Sequence, residues 1–131
     1  MDRMLFGAAV VAVVAMALTA FAADHTKDTP AEVKKAVADD KAVLIDVREA
    51  DEWKDGHIQD AKHLALSDLK AGVTAEKLKT LFPAGKIVYL HCAAGGRCLK
   101  ATDLLKTAGY ETRPLKPGYD DLIKAGFLKA K

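Results

Sequence analysis

A cysteine stands where an apolar stretch of the sequence ends and a glycine pair follows. Cys92 comes directly after residues 86–91, a run typical of a strand buried in a parallel sheet. Open α/β sheets place their ligands at the carboxyl ends of such strands. The residues after Cys92 can curl into a nest of amide groups, because glycine allows the backbone angles needed and the next helix adds its positive end. These residues are Ala93, Ala94, Gly95, Gly96 and Arg97. The pattern predicts a thiolate nucleophile that faces an anionic donor.

Arg97 strengthens this prediction, because a cation at a helix amino terminus opposes the helix dipole unless an anion lies between them. The alternative for Arg97 is a solvated charge at the start of the helix. The alternative for Cys92 is an inert, buried cysteine, which leaves Gly-Gly-Arg after the strand without a packing reason. We therefore expect both side chains to belong to one site.

The rest of the chain alternates short helices with short apolar runs, which indicates one α/β domain with a largely parallel sheet. Residues 29–32 match a capping box with proline at the first helical position, so a helix should follow. Residues 42–45 predict a strand buried on both faces that ends at Asp46. Further extended pieces are expected around residues 63–66 and 111–115.

A few residues predict where these elements begin and end. Ser67 and Thr74 are candidate helix caps. Gly109 marks the end of the helix that follows Arg97. Pro114 confines the last extended piece to a sheet edge or a strand end, because proline cannot donate a ladder hydrogen bond.

The bulk composition fits one globular domain of 131 residues, with 50% hydrophobic and 29% charged residues. Twenty basic and eighteen acidic side chains give a formal net charge of +2, which is too balanced for a nucleic-acid partner. The four histidines lack ligand spacing and no CxxC or HExxH pattern occurs, so we expect neither a metal nor a cofactor. Two cysteines are too few for a disulfide scaffold.

The amino-terminal residues predict export. Arg3 precedes an apolar run over residues 4–20, and Ala-Phe-Ala at 20–22 has small residues at both flanks of a cleavage site. We therefore expect residues 1–22 to be a signal peptide and residues 23–131 to be a periplasmic or secreted domain. The alternative is an uncleaved anchor, since about 20 apolar residues can just span a bilayer.

Three stretches together resemble the single-domain rhodaneses. Residues 92–97, Cys-Ala-Ala-Gly-Gly-Arg, are similar to the active-site loop Cys-x-x-Gly-x-Arg of that family. Residues 44–49, followed by Glu-Trp at 52–53, are similar to its first conserved box, and residues 56–61 to its Gly-His-Ile-Pro-Gly-Ala segment. The resemblance covers about residues 29–127. It implies a rhodanese-like α/β fold with a central, mostly parallel five-stranded sheet flanked by helices on both faces.

The resemblance also implies a sulfurtransferase that works by double displacement. Cys92 would attack the sulfane sulfur of a small anionic donor, thiosulfate or a persulfide, and pass it on to a thiol or cyanide-like acceptor. Residues 93–97 would form the amide cradle, and Arg97 would orient the donor. Asp46 and Arg48 would brace the loop from behind as a buried pair. The alternative for this pair is a purely structural ion pair at the strand end.

Two other functions are alternatives to sulfur transfer. Phosphatases and arsenate reductases of the Cys-x5-Arg kind have five residues between cysteine and arginine, whereas four separate Cys92 from Arg97. In addition, no carboxyl group is clearly placed as the general acid that a phosphatase needs. The second alternative is a non-catalytic rhodanese-like module for binding or redox sensing. Such modules often lose the cysteine or the loop glycines, and this chain keeps both.

Cys98 departs from the family pattern, which has Ser or Thr directly after the arginine. One hypothesis is a small substitution that keeps a weak hydrogen-bond donor. The other is a resolving cysteine that forms a disulfide with Cys92 or receives its sulfur, as an oxidising periplasm permits. The first hypothesis is favoured, because a tight loop over six residues would hold the two sulfurs at poor geometry.

Overall fold

The sheet at the centre of the fold has four strands, all parallel, in the order β2-β1-β3-β4. The structure is a computed structural model that describes residues 23–131, so the predicted signal peptide at 1–22 lies outside the described residues. The strands are β1 Ala42–Asp46, β2 Ala61–His63, β3 Ile87–His91 and β4 Arg113–Pro114. The helices are α1 Pro30–Ala38, α2 Ala50–Asp55, α3 Leu66–Ala71, α4 Ala75–Leu81, α5 Gly96–Thr107 and α6 Tyr119–Lys124. Within residues 23–131, none of these helices has the length and apolar character to cross a membrane.

A hydrophobic core lies on each face of the sheet, because successive side chains of a strand point to opposite faces. Leu44 and Tyr89 pack on one face against α1 and α6. Ile45 and Leu90 pack on the other face against α3, α4 and α5. The predicted α/β fold, a parallel sheet flanked by helices, is confirmed.

The prediction of five strands is wrong, since four strands are formed among the described residues. The edge of the sheet explains the difference. β4 is only two residues long, and Pro114 has no N–H to pair with a further strand. The segment before α1 meets this edge through a single backbone hydrogen bond, from Thr26 N to Pro114 O at 2.8 Å.

The predicted helix caps are confirmed at Thr29 and Thr74 and wrong at Ser67. The capping box is present, with Thr29 Oγ1 accepting from Glu32 N and Glu32 Oε1 accepting from Thr29 N. Thr74 caps α4 as predicted, accepting from the Lys77 amide at 3.2 Å. Ser67 does not cap a helix: α3 begins one residue earlier, and the Ser67 hydroxyl donates to a Glu49 carboxylate oxygen at 2.5 Å.

Candidate active site

Cys92 lies in the short loop that joins β3 to α5, at the carboxyl edge of the sheet. The residue is 0% exposed, and it is part of the core that α5 packs against. The Gly95 amide donates to Cys92 Sγ at 3.1 Å, which closes the loop around the sulfur. The sequence prediction of a strand, a tight loop and a helix is confirmed here.

Gly95 makes this tight curl possible. Its φ of +93° is in the left-handed region, where residues with a side chain are disfavoured. A Cβ at this position would also lie 2.8 Å from the carbonyl oxygen of Lys116. The neighbouring Gly96 has no such contact, because a Cβ there would meet nothing within 4 Å. Of the two glycines, Gly95 is therefore the one that the loop requires.

The thiol of Cys92 is strongly acidified in this loop, with its pKa lowered to about 5. The largest cause is a hydrogen bond from the Cys98 side chain, and the backbone amides of Cys98, Ala94 and Gly95 add to it. Burial acts in the opposite direction and raises the pKa. The hydrogen bonds prevail, so Cys92 is a thiolate at neutral pH.

Cys98 supplies a proton donor from the first turn of α5. Its sulfur lies 3.2 Å from Gly95 O and 3.3 Å from Leu115 O, so the S–H has these carbonyls as well as Cys92 within reach. The Cys92 thiolate and burial both raise the pKa of Cys98 well above its usual range. Cys98 therefore stays protonated, and both cysteines are free in this structure.

Arg97 points to a carboxylate rather than to an open site. Its two terminal nitrogens donate to the two oxygens of Glu52 in α2, at 2.6 Å and 2.9 Å. This bidentate contact lowers the pKa of Glu52 to about 2 and raises the pKa of Arg97. Glu52 lies in the stretch that resembles the first conserved box, but the sequence indicates no partner for it. Its partner lies 45 residues away in the chain, and only the folded structure brings them together.

Asp46 and Arg48 form the expected buried pair beneath the loop. Arg48 Nε lies 3.1 Å and 3.0 Å from the two Asp46 oxygens, and Arg48 Nη2 lies 2.8 Å from Oδ2. The same Nη2 donates to Gly56 O at 2.7 Å. The Tyr119 ring covers the guanidinium at 4.1 Å, and the Tyr119 amide donates to Cys92 O at 2.9 Å. The pair is thus linked to the cysteine backbone through one residue, Tyr119.

Two residues for which the sequence gives no functional signal, His25 and Gly118, also pack against the loop. His25 Nε2 donates to Gly95 O at 2.7 Å from the segment before α1. Gly118 packs so closely that a Cβ there would overlap the carbonyl of Ala93. His91, directly before the cysteine, is fully buried with neither ring nitrogen hydrogen-bonded among the described residues. Burial lowers the pKa of His91, and its Nε2 is 3.8 Å from Asp46 Oδ2.

No group of three or more His, Cys, Asp or Glu side chains between residues 23 and 131 could hold a metal ion. The chemistry that this part of the chain offers is that of a thiolate surrounded by amides. Fold and site together define a single α/β domain with an acidic thiol at the carboxyl edge of a parallel sheet.

Comparison with known proteins identifies the family of this chain. A family model for the rhodanese-like domain matches residues 29–125. The chain belongs to the rhodanese-like domain family.

Individual relatives are more distant. The Bacillus subtilis protein YqhL is 38% identical over 92 residues, which cover 70% of this chain and 67% of YqhL. Among solved structures, the human single-domain sulfurtransferase TSTD1 matches with a TM-score of 0.59 and 26% identity, covering 72% of this chain and 91% of TSTD1. An E. coli rhodanese solved with anions matches with a TM-score of 0.54 and 26% identity, covering 69% and 98% of the two chains.

Proposed function

We propose that this protein is a sulfurtransferase that moves sulfane sulfur from thiosulfate or a related donor to a thiophilic acceptor. The observation that carries the proposal is the place of Cys92 in the loop between β3 and α5, where the Gly95 amide donates to its sulfur at 3.1 Å. The hydrogen bonds around the thiol lower its pKa and so favour the thiolate. Membership of the rhodanese-like family and the likeness to a human sulfurtransferase support the same reaction.

In the first half-reaction, the Cys92 thiolate attacks the outer sulfur of thiosulfate. A new S–S bond forms at Cys92, the S–S bond of the donor breaks, and sulfite leaves with the electron pair. In the second half-reaction, a thiolate or cyanide attacks the outer sulfur of the persulfide, and Cys92 leaves as the thiolate. The amides that face Cys92 stabilise negative charge on its sulfur throughout, and the neighbouring Cys98 thiol lowers the pKa of Cys92 further.

The test uses reduced protein, thiosulfate and cyanide, with thiocyanate as the readout. Wild-type protein is expected to form thiocyanate. After incubation with thiosulfate alone, its intact mass should rise by the mass of one sulfur atom, and peptide mapping should place that atom on the peptide that holds Cys92. Cys92→Ser should abolish both signals. If the wild-type protein forms neither product nor adduct, the enzyme proposal fails and a non-catalytic binding or redox-sensing module takes its place.

We also propose that residues 1–22 direct export and that the domain acts in the periplasm or outside the cell. The basis is the sequence pattern of a short basic region, an apolar run and the small residues before Ala23. Expression in a diderm host and mass spectrometry of the periplasmic fraction test this proposal. A mature protein that begins at Ala23 is expected. Full-length protein in the membrane fraction would indicate an anchor, and full-length protein in the cytoplasm would contradict export.

A further inference from the structure

Arg97, the arginine of the loop that would bind the donor, already has a partner in the structure. Arg97 forms two hydrogen bonds with Glu52, at 2.6 Å and 2.9 Å, and each side chain is 32% exposed. Fork-to-fork pairs of this kind are the most specific contacts that a guanidinium makes with a carboxylate. A donor that uses Arg97 must therefore either displace Glu52 or bind beside an ion pair of zero net charge.

Charge near the sulfur disfavours a dianion further. The Cys92 thiolate and Glu52 each contribute one negative charge, and Arg97 contributes the positive charge that interacts with both. Thiosulfate, with two negative charges, feels the Glu52 carboxylate twice as strongly as a donor with one charge at the same place.

Other charged groups line the outer side of Arg97. Lys70, Lys100 and Glu49 share a cavity of about 480 Å³ with Arg97. The two lysines are exposed, so salt screens them over a Debye length of about 8 Å at roughly 0.15 M ionic strength. They can steer an anion toward the loop, but the contact between Glu52 and Arg97 acts at shorter range and is screened less.

We propose that Glu52 is a positioning residue that sets donor preference by taking up the charge of Arg97, so that the site favours sulfur donors of low charge over the thiosulfate dianion. This inference rests on the proposed sulfur transfer through Cys92. It names the substrate class as singly charged sulfane-sulfur compounds, such as organic thiosulfonates and organic persulfides.

The experiment compares two donors that differ by one charge and load the same sulfur. Thiosulfate releases sulfite as its leaving group, and methanethiosulfonate, CH3SO2S⁻, releases methanesulfinate. Both donors convert the Cys92 thiolate to its persulfide. The value of kcat/KM is measured for both donors at roughly 0.15 M salt. Glu52→Gln removes the charge and keeps an oxygen that accepts from the Glu49 amide, the contact seen at 3.0 Å.

In Glu52→Gln, kcat/KM is expected to rise roughly tenfold for thiosulfate and roughly threefold for methanethiosulfonate, because the logarithm of the change scales with donor charge. Asp51→Asn is the matched control, since this exposed carboxylate lies in the same helical turn and removes the same charge. It should change either value less than about twofold at this salt concentration. Equal factors for the two donors, or a fall in both, would overturn the proposal, since Glu52 would then only hold Arg97 in place.

A second measurement needs neither a variant nor turnover. Sulfate and methanesulfonate differ by one charge in the same way, and their binding to wild-type protein can be followed through the amide resonances of Gly95 and Gly96. We expect their dissociation constants to agree within about threefold, since the ion pair offers a dianion no extra charge. Sulfate binding that is tenfold tighter or more would overturn the proposal. Absence of persulfide formation from both donors would instead reject the proposed function, and this titration would still test the role of Glu52.

Discussion

Cys98 is the side chain that most lowers the pKa of Cys92. Its own pKa is raised by the same hydrogen bond, so the proton stays on Cys98 and the charge on Cys92. The position that departs from the family pattern thus contributes a donor to the nucleophile. This geometry supports the hypothesis of a small substitution that keeps a weak hydrogen bond.

Replacing Cys98 should show the strength of that hydrogen bond. In Cys98→Ala the Cys92 thiolate loses its first donor, and a hydrogen bond to a charged group is worth about 1.5–3 kcal/mol. The ionisation midpoint of Cys92 is expected to rise by about one to two pH units. Thiolate absorbance in the ultraviolet, with Cys92→Ser as the blank, measures this midpoint. Cys98→Ser keeps a hydroxyl donor and should stay close to the wild type, whereas an unchanged midpoint in Cys98→Ala would contradict this assignment.

Cys98 as a resolving cysteine stays a prediction. Both thiols are free and buried here, and a disulfide between them would remove both the nucleophile and its donor. Mass spectrometry decides between the hypotheses, on non-reduced protein that is unfolded and alkylated after recovery from the periplasm of a diderm expression host. Two alkyl groups are expected if the pair stays reduced, and none if the disulfide forms in the cell.

Ionisation of Cys92 makes stability depend on pH. The folded-state pKa of about 5 is below the value of about 8.5 for an unfolded thiol. Between these values the unfolded state binds more protons, so stability rises with pH by at most about 1.4 kcal/mol per pH unit. The contribution is complete above the unfolded pKa and is lost as the pH falls through 5. The difference in unfolding free energy between wild type and Cys92→Ser should follow this course, and a constant difference would be the contrary result.

The two loop glycines should respond differently to a methyl group. Gly95→Ala places a Cβ at a positive φ and 2.8 Å from Lys116 O, so we expect the loop to distort and sulfur transfer to fall at least tenfold. Gly96→Ala meets nothing within 4 Å and should retain activity. Thiocyanate formation by the two variants, with circular dichroism as a check on folding, makes the comparison. Equal losses in both would show that the loop needs flexibility rather than the conformation seen here.

The buried pair beneath the loop should be costly to break. Arg48→Gln leaves the Asp46 carboxylate buried without its cation, and such losses amount to about 3–5 kcal/mol. The exposed pair of Lys35 and Asp39 is the matched control, and Lys35→Gln should cost less than about 1 kcal/mol. Urea unfolding of the two variants measures both values. A loss below about 1 kcal/mol in Arg48→Gln would show that water enters and replaces the arginine.

The features predicted well from the sequence are those encoded by neighbouring residues. The loop after Cys92 follows from one apolar strand and two glycines, and helix α1 follows from a capping box over four residues. The contact between Arg97 and Glu52 could not be predicted in this way, since two helices that are distant in sequence must first pack on the same edge. The contact between His25 and Gly95 joins residues 70 apart and depends equally on the fold.

The number of strands in the sheet likewise depends on contacts between residues that are distant in sequence. Pro114 indicated a sheet edge, and that prediction is confirmed by its place at the end of β4. The resemblance to the rhodaneses implied five strands. A fifth strand would require the segment before α1 to form several backbone hydrogen bonds with that edge. Only Thr26 contributes one to the Pro114 carbonyl.

The two layers of helices meet at Cys92. Its carbonyl accepts from the first amide of α6 on one face, and its side chain is enclosed by α5 on the other, which leaves the residue 0% exposed. A side chain with no exposed surface cannot touch a molecule in solution, so a donor meets this sulfur only when the surrounding loop opens locally. Hydrogen exchange of the Tyr119 amide, which donates to the Cys92 carbonyl, should report this opening, and the opening rate is expected to set an upper limit on how fast sulfur can enter.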